Sequence, residues 1–271
     1  MLNIKKKAYT IRKRALQMIY CAKTGHTGGA LSATDILATL YYSVMKYDVN
    51  NPEWEERDRF ILSKGHSVEP YLAILADLGF IKDKELDTFS QFGTRLIGHP
   101  NNKVPGVEMN SGALGHGLSA GVGMAIAAKM DKKDYRVFVL MGDGELAEGS
   151  IWEAAMAAAH YKLDNLWAII DRNRLQISGS TEDVMALEPL KMKWEAFGFQ
   201  VAEIDGHDHE QIDKALNTKS KGKPVLIIAN TVKGRGVSYM EGISKWHHGV
   251  PEEDMYNKAI SELDEVIQTC K

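Results

Sequence analysis

The chain has 271 residues, 44% hydrophobic and 25% charged, with a net charge of −3. These values fit one large or two small soluble globular domains and exclude the basic excess of a nucleic-acid binder, the ~18-residue apolar run of a membrane span and the apolar core of a signal peptide. With only Cys21 and Cys270, no disulfide framework is expected, and a reducing cytoplasm is the default location.

In chain order, the first element is a helix over residues 5–23, with Ile4, Ala8, Ile11, Ala15, Met18 and Ile19 at helical spacing. Its basic clusters, Lys5–Lys7 and Arg12–Arg14, read as a solvated face. A second helix is expected from Ser32, its N-cap, to Lys46, with Ile36, Leu37, Leu40, Tyr41 and Val44 along one side. Gly117–Ala128 is rich in small side chains and suits close packing, against the domain's own core or a neighbouring subunit.

The middle of the chain changes character. Arg136–Met141 and Leu166–Ile170 are short apolar runs, and Val201–Ile204 and Val225–Ala229 are two more. Between the first pair, Ser150–Leu163 has a helical apolar face. Strand, helix, strand in this rhythm predicts a doubly wound α/β domain, its parallel sheet covered by helices on both faces. In that class, ligands sit beyond the carboxyl ends of the strands. We find no repeat, linker or low-complexity tract that divides the chain, so residues 1–271 are expected to form one domain.

Asp143, in Gly142-Asp143-Gly144, lies just past the first of these strands, and Asn173 lies three residues past the next. Neighbouring parallel strands are ~4.8 Å apart, so two such residues can share one ion. Mg²⁺ takes oxygen ligands near ~2.1 Å. A carboxylate, an amide oxygen and a main-chain carbonyl such as that of Leu175 would supply three, and a diphosphate two more. On the residues alone, Gly-Asp-Gly reads equally as a tight strand-to-helix turn. A helix beginning near Ser150 would point its N-terminal amides at the same anion, and Lys233-Gly-Arg235-Gly236 would either cradle phosphate or form an exposed loop.

Of nine histidines, His26, His66, His99, His116 and His247 sit among or beside glycines, as loop residues that present side chains into clefts do. Imidazole titrates near neutrality and suits proton transfer to and from hydroxyls. His160, His207 and His209 read as structural or surface residues. No CxxC or HxxxH cluster supports Zn²⁺.

Gly142-Asp143-Gly144-Glu145-Leu-Ala-Glu148-Gly149, running through to Asp171-Arg172-Asn173-Arg-Leu175-Gln176, resembles the thiamine-diphosphate motif of the transketolase family, and the resemblance extends over about residues 5–255. It implies the thiamine-diphosphate-binding fold of the diphosphate (PP) type. It implies thiamine diphosphate with Mg²⁺, or Ca²⁺ or Mn²⁺ in its place, on Asp143, Asn173 and the carbonyl of Leu175. It assigns cofactor contacts to His66, Gly112, Leu114, His116, Gly142, Asp143, Gly144, Glu148, Asn173 and His247, and catalytic or substrate-facing roles to His26, His66, His99 and His247. The implied reaction moves a two-carbon ketol unit from a ketose phosphate to an aldose phosphate, as in the pentose phosphate pathway. The glutamate that activates the cofactor belongs, in this family, to a pyrimidine-binding domain. Neither that domain nor the C-terminal domain is in this sequence, so both are expected on a partner, a C-terminal transketolase subunit, in an α2β2 heterotetramer with no nucleic-acid or membrane contact. Glu145, Glu148 and Glu153 are no substitutes.

Three positions depart from the family pattern. Thr27 stands where Pro is common, so a less rigid loop is expected; Arg172 replaces a frequent Asn; His116 replaces a frequent Gln. Competing readings are a branched-sugar-phosphate transketolase, a deoxyxylulose-phosphate-synthase-like enzyme, a 2-oxo-acid dehydrogenase α subunit, an NAD-binding dehydrogenase and a non-catalytic scaffold subunit. The NAD-binding dehydrogenase would need a strand before Gly115, where Pro105–Gly112 has no strand pattern.

Overall fold

The structure, a computed structural model, describes residues 3–270; Met1, Leu2 and Lys271, which the single-domain expectation includes, lie outside the described residues. Helices α1 (Ile4–Ala22), α2 (Thr27–Thr39), α3 (Val68–Leu78), α4 (Gly117–Met130), α5 (Gly149–His160), α6 (Thr181–Val184), α7 (Leu190–Ala196), α8 (His209–Leu216) and α9 (Glu253–Thr269) surround five strands. These are β1 (Arg59–Leu62), β2 (Val137–Gly142), β3 (Leu166–Arg172), β4 (Gln200–Asp205) and β5 (Val225–Asn230), all parallel in the order β1-β2-β3-β5-β4. No described helix is long and apolar enough to cross a membrane.

Alternation along the strands explains why the central ones are apolar throughout. Phe138 and Leu140 of β2, with Trp167 and Ile169 of β3, pack under α1, α2, α3 and α8. Val137, Val139 and Met141, with Leu166, Ala168 and Ile170, pack under α4, α5 and α7. Each face buries side chains worth about 1.5–3 kcal/mol apiece, so neither helical layer is dispensable. The four apolar runs expected as strands are β2, β3, β4 and β5, and the doubly wound class is the one observed.

Two local expectations are corrected. Ser32 does not cap α2, which starts five residues earlier at Thr27; Ser32 is buried mid-helix, its Oγ donating to the Gly29 carbonyl and to Asp171. Gly28 and Gly29, in the first turn of α2, leave no room for a side chain: a Cβ on Gly28 would lie 2.9 Å from the Trp246 carbonyl oxygen, and one on Gly29 2.9 Å from Ser67 Oγ. At its other end α2 passes into a π turn at Leu40–Val44 and stops before Lys46.

Arg12 is not on a solvated face either. It is fully buried and forks onto Asp35, at 2.9 Å and 2.5 Å. Its basic neighbours pair at the surface, Lys13 with Asp264 and Arg14 with Asp83. Asp35 also accepts from His207 Nδ1 at 2.7 Å, while His207 Nε2 accepts the backbone N–H of Val232 at 2.8 Å. That acceptor puts the ring proton on Nδ1. The Arg12–Asp35–His207 chain thereby fixes the segment after β5, where Lys233 lies.

The small residues of α4 divide between core and surface. A Cβ on Gly117 would meet Ser63 at 2.3 Å and one on Gly121 would meet Val139 at 2.5 Å, whereas Gly123 faces open space.

Candidate active site

A cavity of about 360 Å³ opens over the carboxyl ends of β1, β2, β3 and β5. Its walls come from the segments that follow those strands, together with the turn before α2 and the loops around residues 99 and 112–114. At one end stand Asp143, Asn173 and Leu175; at the other stand His26, His66, His99 and His247, with Lys64 and Lys233 between.

The acid end follows from register. Gly142 of β2 pairs with Asp171 of β3, which brings Asp143 and Asn173 to adjacent strand ends. Asp143 is nearly fully buried. Its Oδ1 accepts from Gly144 N at 2.8 Å, and its Oδ2 accepts from Arg174 N at 2.5 Å and Arg172 Nη1 at 3.2 Å. Burial and the neighbouring Asp171 charge still push the Asp143 carboxyl above its usual range. A cation would relieve that. The available donors are a carboxylate, the Asn173 amide oxygen and the Leu175 carbonyl; among the described residues no group of three His, Cys, Asp or Glu is placed to hold a metal. An all-oxygen set with main-chain participation fits Mg²⁺ rather than Zn²⁺.

Behind these groups lies a buried network that local sequence pattern does not single out. Asp171 accepts from Lys64 Nζ, Ser32 Oγ, Thr231 Oγ1 and Asn173 Nδ2, the last at 3.3 Å. The Asn173 bond orients the amide, whose Oδ1 also accepts the Leu175 backbone N–H at 3.1 Å. Burial alone would raise the Asp171 carboxyl, but the Lys64 ammonium beside it holds it below the usual range. Its place at the end of an apolar strand, between Ile170 and Asn173, was the available signal. Glu145, equally buried, accepts from Ser63 Oγ, Gly115 N at 2.9 Å and Gly142 N at 3.1 Å, and so joins the ends of β1 and β2 to the turn before α4.

At the far end the imidazoles crowd together. The His26 ring lies 5.2 Å from His66, 6.1 Å from His99, 5.6 Å from His247 and 4.6 Å from His248, centroid to centroid. Lys233 Nζ donates to the Leu175 carbonyl at 3.1 Å and to His247 Nδ1 at 2.9 Å. An ammonium only donates, so His247 is neutral and carries its proton on Nε2. Burial and the Lys64 charge bring Lys233 down to about 8. Burial, with the neighbouring histidines and lysines, lowers His26 to about 4 and His247 to about 3, and His66 well below its usual range.

These depressed values predict a pH effect of definite sign. The unfolded chain binds the protons near pH 6.5, whereas the folded chain refuses them until about pH 4, so stability is full above 6.5 and is lost as pH falls toward 4. After discounting for partial exposure, each of His26 and His247 should contribute on the order of 1 kcal/mol to the difference between pH 7 and pH 5. Urea unfolding at the two pH values should show that gap, and a His26→Asn, His247→Asn double variant should narrow it. A gap of unchanged size would place its origin elsewhere.

Thr27 is built into the site. Its buried hydroxyl donates to the Gly249 carbonyl at 2.6 Å and ties the His26 turn to the segment carrying His247 and His248. Arg172 is also built in, bonding Thr181 at 2.6 Å, Glu182 at 2.8 Å and Glu188 at 3.0 Å besides Asp143.

Gly112, Leu114, Gly142 and Gly144 line the cavity as expected of cofactor contacts, joined by Gln176, the last residue of the motif, and by Ile177 and Ser178, which no motif position marks. His116 and Glu148 do not line it: both are exposed, His116 with Nδ1 3.0 Å from its own loop's Leu114 carbonyl. Nor does α5 contribute to the lining; Ser150 at its start donates to the Gly115 carbonyl at 2.8 Å. Lys233 lies inside rather than on an exposed loop, while Arg235 pairs with Glu241.

The family model described as transketolase, thiamine diphosphate binding domain, matches residues 4–262. The chain belongs to the transketolase family. Among its transketolase relatives, an apulose-4-phosphate transketolase subunit from Phocaeicola vulgatus is 54% identical over 259 residues, 95% of this chain and 92% of the relative. The 6-deoxy-6-sulfo-D-fructose transketolase subunit SqwG of a Clostridium species is 43% identical over 266 residues, 97% of each. The transketolase of Campylobacter jejuni superposes with a TM-score of 0.91 at 36% identity; the match covers 97% of this chain but 43% of that one. The fold is thus that of the N-terminal, thiamine-diphosphate-binding part of a transketolase.

Proposed function

We propose that this chain is the diphosphate-binding subunit of a two-subunit transketolase. In this reading one divalent cation, Mg²⁺ or Ca²⁺ or Mn²⁺ in its place, sits on Asp143, Asn173 and the Leu175 carbonyl and carries the diphosphate of thiamine diphosphate. The observation that carries the reading is the cavity itself, with hard oxygen donors at one end and neutral imidazoles at the other. When bound, thiamine diphosphate supplies the carbanion and electron-sink chemistry of ketol transfer. The protein's share is placement. Gly142 and Gly144 let the backbone approach the diphosphate, Lys64 and Lys233 offset negative charge, and His26, His66, His99 and His247 bind sugar hydroxyls and hold or move their protons. His247, neutral with its proton on Nε2, is set up to donate.

Residues 1–271 form a single diphosphate-binding domain in this proposal, and the pyrimidine-binding domain with its activating glutamate comes from a partner subunit in an α2β2 assembly. Two relatives that match nearly end to end carry names that make each of them one subunit of a transketolase, which supports the split arrangement. The same names favour an unusual ketose phosphate as donor, with apulose 4-phosphate foremost because that relative shares 54% of its aligned residues. The purified chain alone is expected to transfer no ketol unit from apulose 4-phosphate. Adding the partner subunit, thiamine diphosphate and Mg²⁺ should restore transfer to a rate of ordinary enzymes, about 1–10³ s⁻¹. Full turnover by the lone chain would remove the split reading.

A further inference from the structure

Glu69 is fully buried in the first turn of α3, three residues after His66. Its Oε1 reaches across to the other histidine loop and accepts the backbone N–H of His26 at 3.1 Å. Its Oε2 is buried with no hydrogen-bond partner. Burial pushes the carboxyl up to about 7, the expected consequence of removing it from water with one oxygen unmatched. The backbone opposite is shaped around it: a Cβ on Gly25 would lie 2.7 Å from Oε1. An apolar side chain of equal length would fill the same space without that desolvation cost, so the carboxyl's distinctive contribution is its bond to His26. His26 stands at the N-terminus of α2 without a side-chain cap, where a carboxyl also meets the positive end of the helix dipole.

We propose that Glu69 is a positioning residue for the histidine end of the cavity. By holding the His26 backbone from the turn that carries His66, it sets the spacing of the two rings, 5.2 Å between centroids, on the wall that faces the donor sugar. Thr27, tied to Gly249, holds the same loop from the opposite side. The sugar at that wall rests on the function proposed above; the tie between the two loops rests on geometry alone.

Three variants test it. Glu69→Gln keeps an acceptor oxygen in place, Glu69→Asp keeps the charge but falls one methylene short, and Glu69→Met keeps the length without the acceptor. In the complex isolated on the tagged full-length chain from its native host, Glu69→Asp and Glu69→Met should raise the KM for apulose 4-phosphate at least tenfold. Glu69→Gln should stay within threefold of the parent, and half-saturation by thiamine diphosphate should move less than twofold in all three. In the isolated full-length chain, the His26 backbone amide should move upfield and the His26–His66 ring cross-peak weaken in Glu69→Asp but not in Glu69→Gln. Should Glu69→Asp fail to fold, Glu69→Met supplies the same comparison. A parent-like donor KM and His26 amide in Glu69→Asp would overturn the proposal. So would a parallel fall of Tm, cofactor affinity, kcat and kcat/KM, which marks a purely structural role. A complex that moves no ketol unit would count against the proposed function, while the His26 signals would still decide the role of Glu69.

Discussion

Asp143→Ala is expected to abolish the thermal protection that thiamine diphosphate and Mg²⁺ give the parent chain. At a hundredfold excess over Kd, a ligand stabilises the state it binds by ~2.7 kcal/mol, which for a domain of this size is about 5–10 °C in Tm. The variant should lose that increment and leave the ligand-free Tm within a few degrees of the parent. The reason lies in the local charges. Asp143 is buried near Asp171, and its carboxyl is pushed up rather than down. Arg172 keeps Glu182 and Glu188 when Asp143 is gone. Removing the carboxylate therefore takes away the charged ligand without leaving an unpaired cation. Differential scanning with and without cofactor and Mg²⁺ reads both quantities, and ketol transfer by the reconstituted pair should fall by more than ~100-fold. Protection that survives in Asp143→Ala would remove this residue from the cation site.

Asp171→Ala should produce the opposite pattern, a large loss of stability before any ligand is added. Lys64 is 1% exposed, and its ammonium would lose its carboxylate partner. Ser32, Thr231 and Asn173 would lose an acceptor in the same step. Breaking one side of a buried ion pair costs about 3–5 kcal/mol, because the remaining charge stays out of water. Changing Lys64 to Met in the Asp171→Ala background should recover much of that loss, since a buried pair replaced by apolar groups of similar size is often close to neutral. Chemical denaturation of the two single variants and the double variant measures the coupling. A loss below about 1 kcal/mol in Asp171→Ala would show that the network does not hold the strand ends. The double variant is still expected to bind cofactor poorly, because Asn173 would no longer be oriented.

Much of this molecule was legible along the chain. The apolar runs at Arg136–Met141, Leu166–Ile170, Val201–Ile204 and Val225–Ala229 announced strands because each sits between helical stretches and ends at turn residues. Gly142-Asp143-Gly144 and Asn173 announced a site because strand ends in this class converge. His26, His66, His99 and His247 were readable for a similar reason, since glycine-flanked histidines off an apolar face have little packing to do. All four do line one cavity.

What sequence alone determined was therefore the class of fold, the strand ends that meet and the chemical types gathered there, because hydrophobic period and turn residues are local properties. Only the tertiary structure decided which charges are buried. Arg12 looks like any surface cation beside Lys13 and Arg14 until α2 brings Asp35 against it. Ser32 looks like a cap until β3 brings Asp171 to its hydroxyl. Glu69 looks like an acid in the first turn of a helix until the His26 loop closes over it. Desolvation and long-range hydrogen bonds depend on residues tens to hundreds of positions apart, and no local pattern carries that information.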